Sequence, residues 1–168
     1  MKSFKKICVY VMMFILLLAL CAGCSADIDT QDANSSVNVL ISCATIVENY
    51  DSSLLSADVL EIIGADGVFF DAEVKITEGA TAYDALVSAM NDAGIIYEVD
   101  TSWGEENAYF VGVNNVYAGD CGELSGWMFF VNNEMPDVSA GSYELNAGDT
   151  VELLYSTDMG ADLGYSFE

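Results

Sequence analysis

Hydrophobic positions follow three different rhythms along this chain. An unbroken apolar run, Ile7 to Leu20, follows the basic residues Lys2, Lys5 and Lys6. A period of two then recurs in several short segments. Val37, Val39, Ile41 and Cys43 alternate with Asn38, Leu40, Ser42 and Ala44, which predicts a strand continuing to about Val47. Phe70, Ala72, Val74 and Ile76 lie opposite Asp71, Glu73 and Lys75, a second strand over 68–77. Val151, Leu153 and Tyr155 alternate with Glu152 and Leu154 in a last one over 150–156. Helical period is clear once: Ala82, Ala85, Leu86, Ala89, Met90 and Ala93 recur at three and four. Thr81 is the expected N-cap, Asp84 its capping-box partner, and Gly94 the stop.

Between these elements the pattern is shorter. A strand is expected over 95–99, and a polar loop over 101–107 holds Trp103. Residues 109–117 read as a strand pair broken by Gly112 and Asn114-Asn115. The stretch Cys121 to Asn133, C-G-E-L-S-G-W-M-F-F-V-N-N, describes one arm of a β-hairpin ending in an Asn132-Asn133 turn. Gly122 and Gly126 bracket a loop that needs unusual dihedrals or a close approach. Phe129 and Val131 are expected in the core, and Trp127, beside the glycines, partly exposed. Residues 49–67 read as a loop insertion, because Gly64 and Gly67 quickly close any helical turn over Ser56–Ile63. Tyr143 and Leu145 anchor a loop over 139–148. This order is α+β: one main helix over a mixed sheet, with a β-grasp as the natural candidate.

The basic start and apolar run match a secretory signal over 1–23. Ala22-Gly23-Cys24 resembles a bacterial lipobox, with Cys24 as the lipidated residue, although Cys21 stands where leucine is usual. The run is short for a bilayer-spanning helix of about 20 residues. A tether over 24–36 and a single domain over 37–168 complete the organisation. The expected location is outside the cell, anchored to the membrane through the lipid on Cys24.

Charge and absences narrow the chemistry. Beyond residue 24 there are 27 acidic residues against the single Lys75, a formal charge of −26. Such a surface repels nucleic acid, which is not expected as a partner. With no histidine, serine–histidine and cysteine–histidine pairs and the usual zinc sites are excluded. With no arginine there is no bidentate phosphate clamp. No catalytic residues are expected. Cys43 and Cys121 are the cysteines left to an exported domain, and one disulfide between them is the simplest pairing. Free thiols are the alternative. Asp158 and Asp162 are weak cation candidates: two carboxylates fall well short of a calcium shell.

Three ordered motifs carry a family resemblance: E-G-A-T-A-Y-D-A-L (Glu78 to Leu86), the 121–133 stretch, and Y-E-L-N-A-G-D-T-V-E-L-L-Y-S (Tyr143 to Ser156). Together they resemble a bacterial domain of unknown function similar to the carboxy-terminal β-domain of transcobalamin and intrinsic factor. The resemblance implies a soluble-ligand-binding β-grasp, which in transcobalamin-like proteins closes over one face of a corrinoid while a helical barrel holds the other. This sequence shows no such barrel. Asn133 stands where the family usually has glycine, and Ala140 and Thr157 mark positions near which relatives carry a second cysteine pair. The implied function is a surface-anchored, non-enzymatic lipoprotein that binds a soluble small ligand, a cobalamin-like one among the candidates, and requires no cofactor. Ser125, Gly126, Trp127, Trp103, Tyr109 and Phe110 are the candidate ligand residues. The alternative is a protein-interaction module of a surface or transporter assembly, recruiting partners by strand addition.

Overall fold

A computed structural model describes residues 35–49 and 55–165. The signal segment, Cys24 and nearly all of the tether lie outside the described residues. The end of the expected tether already belongs to the sheet: Ser36 lies in the first strand, and the Ser35 carbonyl accepts from Ile76 N–H (2.9 Å).

The elements follow in the order β1 (Ser36–Ser42), α1 (Ala44–Asn49), α2 (Ala57–Ile63), β2 (Val68–Lys75), α3 (Ala82–Ala93), β3 (Tyr97–Asp100), β4 (Tyr109–Val113), β5 (Val116–Tyr117), β6 (Gly126–Val131) and β7 (Thr150–Ser156). Strands β2-β1-β7-β6 form one sheet, and β3-β4-β5 a second. At the centre of the first, β1 runs parallel to β7, with Val39 beside Val151 and Ile41 beside Leu153. Antiparallel β2 and β6 flank that pair. The architecture is α+β, with a β-grasp-like mixed sheet.

Alternation explains the sheet. Val37, Val39 and Ile41 share one face with Val151, Leu153 and Tyr155, and all six are essentially buried. The apolar stripe of α3 lies in the same core through Ala82, Ala85, Leu86, Ala89 and Met90; Ala93, at its end, is exposed. The predicted capping box is present: Asp84 N–H donates to Thr81 Oγ1 (3.2 Å), and Thr81 N–H donates to Asp84 Oδ2 (2.9 Å). Gly94 ends the helix in the left-handed region, at φ 69°. Tyr143 and Leu145 hold the helix start, with Ala82 N–H on the Tyr143 carbonyl and Leu145 N–H on the Ala80 carbonyl (2.9 Å each).

Three expectations need correction. The first strand stops at Ser42, not Val47, because the Ser42 hydroxyl accepts from Ala44 N–H (3.1 Å) and the chain turns into α1. The region read as a loop insertion contains α2, whose N-cap Ser56 accepts from Val59 N–H (3.3 Å) and whose end is Gly64. The third concerns the hairpin. Asn132 and Asn133 do form a two-residue turn with φ 54° and 67°, but the chain beyond it returns only the single bridge Val131–Glu134. The ladder partner of β6 is β7, which follows later in the chain. By contrast, Asn114 and Asn115 (φ 49° and 63°) join β4 to β5 as a true hairpin.

Candidate functional site

The outer edge of β6 meets β4 of the second sheet, and the two do not pair. Between them lies a cleft of about 470 Å³. Tyr109 and Phe110 of β4 line one side, and Ser125 to Phe129 the other. Its mouth carries Leu124 and Met159, both more than half exposed. Met128 and Met135 complete a surface in which every methionine after Met90 takes part. Thioethers are flexible and polarizable, so such a surface adapts to more than one apolar shape.

Local sequence explains how the cleft is held open. Gly126 is a close-approach glycine: a Cβ there would sit 2.6 Å from the Tyr109 hydroxyl. The Trp127 backbone N–H lies close enough to that hydroxyl to act on its phenol. Burial raises the Tyr109 phenol, and the Trp127 N–H acts in the opposite direction. Gly122 supplies the loop's positive φ of 106°. Ser125 is buried and pins the loop, accepting from Cys121 N–H (3.1 Å) while its hydroxyl donates to the Gly122 carbonyl (2.8 Å). Tyr155 reaches the same loop from β7, its hydroxyl 2.9 Å from Ser125 Oγ and 2.7 Å from the Tyr117 carbonyl.

Residues 79–157 match the family described as a domain of unknown function, DUF4430. That span takes in every cleft residue except Met159, and all of the three sequence motifs but Glu78. The crystal structure of haptocorrin in complex with Cbi is similar in fold, with a TM-score of 0.51 at 16% identity over 74% of this chain. This chain spans 26% of that one, and the likeness is one of fold. A candidate metal binding protein from Ruminococcus gnavus ATCC 29149 aligns with a TM-score of 0.43 at 14% identity, over 73% of this chain and 97% of its own. No curated protein matches the sequence.

Within residues 79–157, five of the six candidate ligand residues line one cleft: Ser125, Gly126, Trp127, Tyr109 and Phe110. Trp103 does not. It stands on the 101–107 loop at 84% exposure, away from the cleft lining. Trp127 is a correction, since it was expected partly exposed and is 2% exposed. Its indole N–H donates to the Val116 carbonyl (2.9 Å), and its ring meets Tyr155 edge-on at 5.3 Å. A buried indole needs such an acceptor, and β5 provides it. Phe110 is likewise floor, packed against Tyr83 at 5.5 Å. The residues presented to a ligand are Tyr109, Leu124, Phe129 and the methionines. Sequence reasoning missed the methionines as a group, because Met128, Met135 and Met159 are far apart in the chain and only the fold gathers them.

The cysteines and acids also differ from expectation. Cys43 and Cys121 are both buried as free thiols, and the expected disulfide is not formed. Cys43 Sγ faces the Gly67 carbonyl at 3.5 Å, whereas Cys121 is engaged by the Tyr155 side chain. Burial pushes Cys43 up to about 12 and Cys121 up to about 11, and charge on Cys121 contributes to the Cys43 shift, so the two thiols share one region. Asp162 is a turn anchor. Burial would raise it, but hydrogen bonds from the Ser156 hydroxyl and from the Thr157 N–H and hydroxyl hold it below the usual carboxylate range. Among the described residues no three potential ligand side chains converge, and both oxygens of Asp162 are already engaged by Ser156 and Thr157. Their segment instead supports the cleft, with Met159 N–H on the Leu124 carbonyl (2.9 Å).

Proposed function

We propose that this protein is a surface-anchored, non-enzymatic lipoprotein that binds a soluble ligand in the cleft between β4 and β6. The observation that carries the reading is the cleft itself: about 470 Å³, apolar, with five predicted residues gathered on it. That volume falls in the range of small-molecule sites, which are mostly apolar with a few polar groups. The fold likeness to haptocorrin makes a corrinoid the first ligand to try. Tyr109, Leu124, Phe129, Met128 and Met159 would supply the contact surface, and the Tyr109 hydroxyl one polar group.

The anchor belongs to the same proposal. Lipid on Cys24 would hold the domain on the outer face of the cell membrane, with residues up to 35 as the spacer. Metabolic labelling with a fatty acid should mark the wild-type chain and not Cys24→Ser.

Ligand binding has a built-in reporter. Trp127 lies under the cleft while Trp103 stands clear of it, so a Trp103→Phe variant isolates the useful signal. Titrating that variant with a corrinoid should give a saturable change in emission. A flat response up to millimolar corrinoid removes that ligand class from the proposal.

A further inference from the structure

Part of the β6 edge has no partner. Asn132 N–H donates across the ladder to the Thr150 carbonyl (2.9 Å), and the register gives Phe130, Met128 and Gly126 the same orientation. Antiparallel pairing alternates, so the backbone groups of Val131, Phe129 and Trp127 point away from β7. Val131 is closed on both sides by Glu134, at 2.9 and 3.0 Å. Trp127 N–H is turned to the Tyr109 hydroxyl, on whose phenol it acts. The Trp127 carbonyl and both groups of Phe129 take no partner among the described residues. These three open along the cleft, which both residues line.

We propose that the cleft accepts an extended peptide as an added β-strand, with alternate apolar side chains and lysine or arginine near both ends. This rests on the reading of the cleft as a binding site and names its ligand class. An incoming strand would accept from Phe129 N–H and donate to the carbonyls of Phe129 and Trp127. A ring-shaped ligand could fill the apolar walls but would leave those three groups desolvated, which is costly. Charge selects the peptide. Glu123 and Asp158 sit at the Gly126 end of β6, and Glu134 and Asp137 at the Val131 end. With Lys75 as the only base beyond residue 24, a second copy of this chain would be repelled from the same edge.

The test uses the full-length chain in detergent and an array of capped hexapeptides with alternating apolar and threonine positions between terminal lysines. Fluorescence titration should find saturable binders. For the best of them, N-methylation at each position in turn should show a period of two, with about a tenfold loss wherever the blocked N–H faces β6 and little change at the alternate positions. Glutamate in place of both lysines should weaken binding by at least about tenfold. Binding that is indifferent to which N–H is methylated overturns strand addition and leaves the cleft as an apolar binding site. An array without binders, together with a saturable corrinoid response in the Trp103→Phe variant, overturns the peptide class alone. If neither probe binds, both readings fail.

Discussion

The centre of the four-stranded sheet and its β6 edge are built from similar residues and do opposite things. At the centre, Ile41 and Leu153 sit side by side on parallel strands, and each has its outer neighbour strand in place. At the edge, β6 has β7 on one side and a cleft on the other. Its sequence, Gly-Trp-Met-Phe-Phe-Val, is apolar on both faces. Trp127 and Val131 are buried in the core, half-buried Phe129 on the same face lines the cleft, and Met128 on the other face lines it with Met159. A closed strand needs one apolar face. An open strand with two apolar faces has a surface left over, and exposed apolar surface of this kind marks a binding site more often than an accident.

The sharpest way to break the contrast is in the centre. Ile41→Ala removes a fully buried side chain from the middle of β1 and should cost about 2–5 kcal/mol in denaturant unfolding, because the packed neighbours cannot collapse into the gap. The same truncation at the cleft mouth, Leu124→Ala, should cost no more than about 0.5 kcal/mol. Comparable losses at the two sites would mean that the cleft is core.

Alkaline unfolding probes the region between centre and edge, where Cys43, Tyr155 and Cys121 lie. Burial raises Cys43 from 9.0 to about 12 and Cys121 from 9.0 to about 11, and raises the Tyr155 phenol as well. In the folded chain the neutral thiols are favoured, so their contribution is fully present below pH 9. It is lost as the pH climbs from 9 through about 11 and then about 12. Stability measured against pH should therefore fall over that window. Cys43→Ala should flatten the fall, and an unchanged slope would place the titrating group elsewhere. Native thiols should also resist alkylation near neutral pH and react only on unfolding.

Gly126→Ala addresses the join between β6 and β4. Its Cβ would meet the Tyr109 hydroxyl at 2.6 Å, and overpacking of that order costs about 1–3 kcal/mol. Tyr109→Phe removes the oxygen. In a double-mutant cycle the two changes should couple by about 1 kcal/mol, the second relieving the first. Additive effects would show that the glycine is needed for some other reason.

What could be read from the chain in advance follows the same division. β1, β7 and α3 were legible because their causes are local: strict alternation, a Thr81–Asp84 capping box and Gly94. The cleft was legible only in part. Tyr109, Phe110 and the 125–127 stretch were identified, but nothing local says that β6 pairs with a strand some twenty residues on, leaving its other edge to face β4. Trp127 was misjudged because Gly126 suggested room for an indole; the room is for the Tyr109 hydroxyl. Cys43 and Cys121 were paired by count and compartment, which contain no geometry. Methionine carries no periodic signal in loops, so Met135 and Met159 could join the site only once the fold had brought them together.

The smallest stability effect carries the largest functional weight. Leu124 is 53% exposed at the cleft mouth and its carbonyl holds Met159 N–H, a bond that does not involve the side chain. Leu124→Asp should therefore leave unfolding within about 0.5 kcal/mol of wild type. It also adds a desolvated carboxylate to the apolar contact beside Glu123, which should weaken an apolar ligand by at least about tenfold. A control at Val138→Asp, equally exposed but outside the cleft lining, should change neither quantity. If Leu124→Asp binds like wild type, the cleft mouth is ordinary surface, and the apolar excess on β6 has to be explained by packing alone.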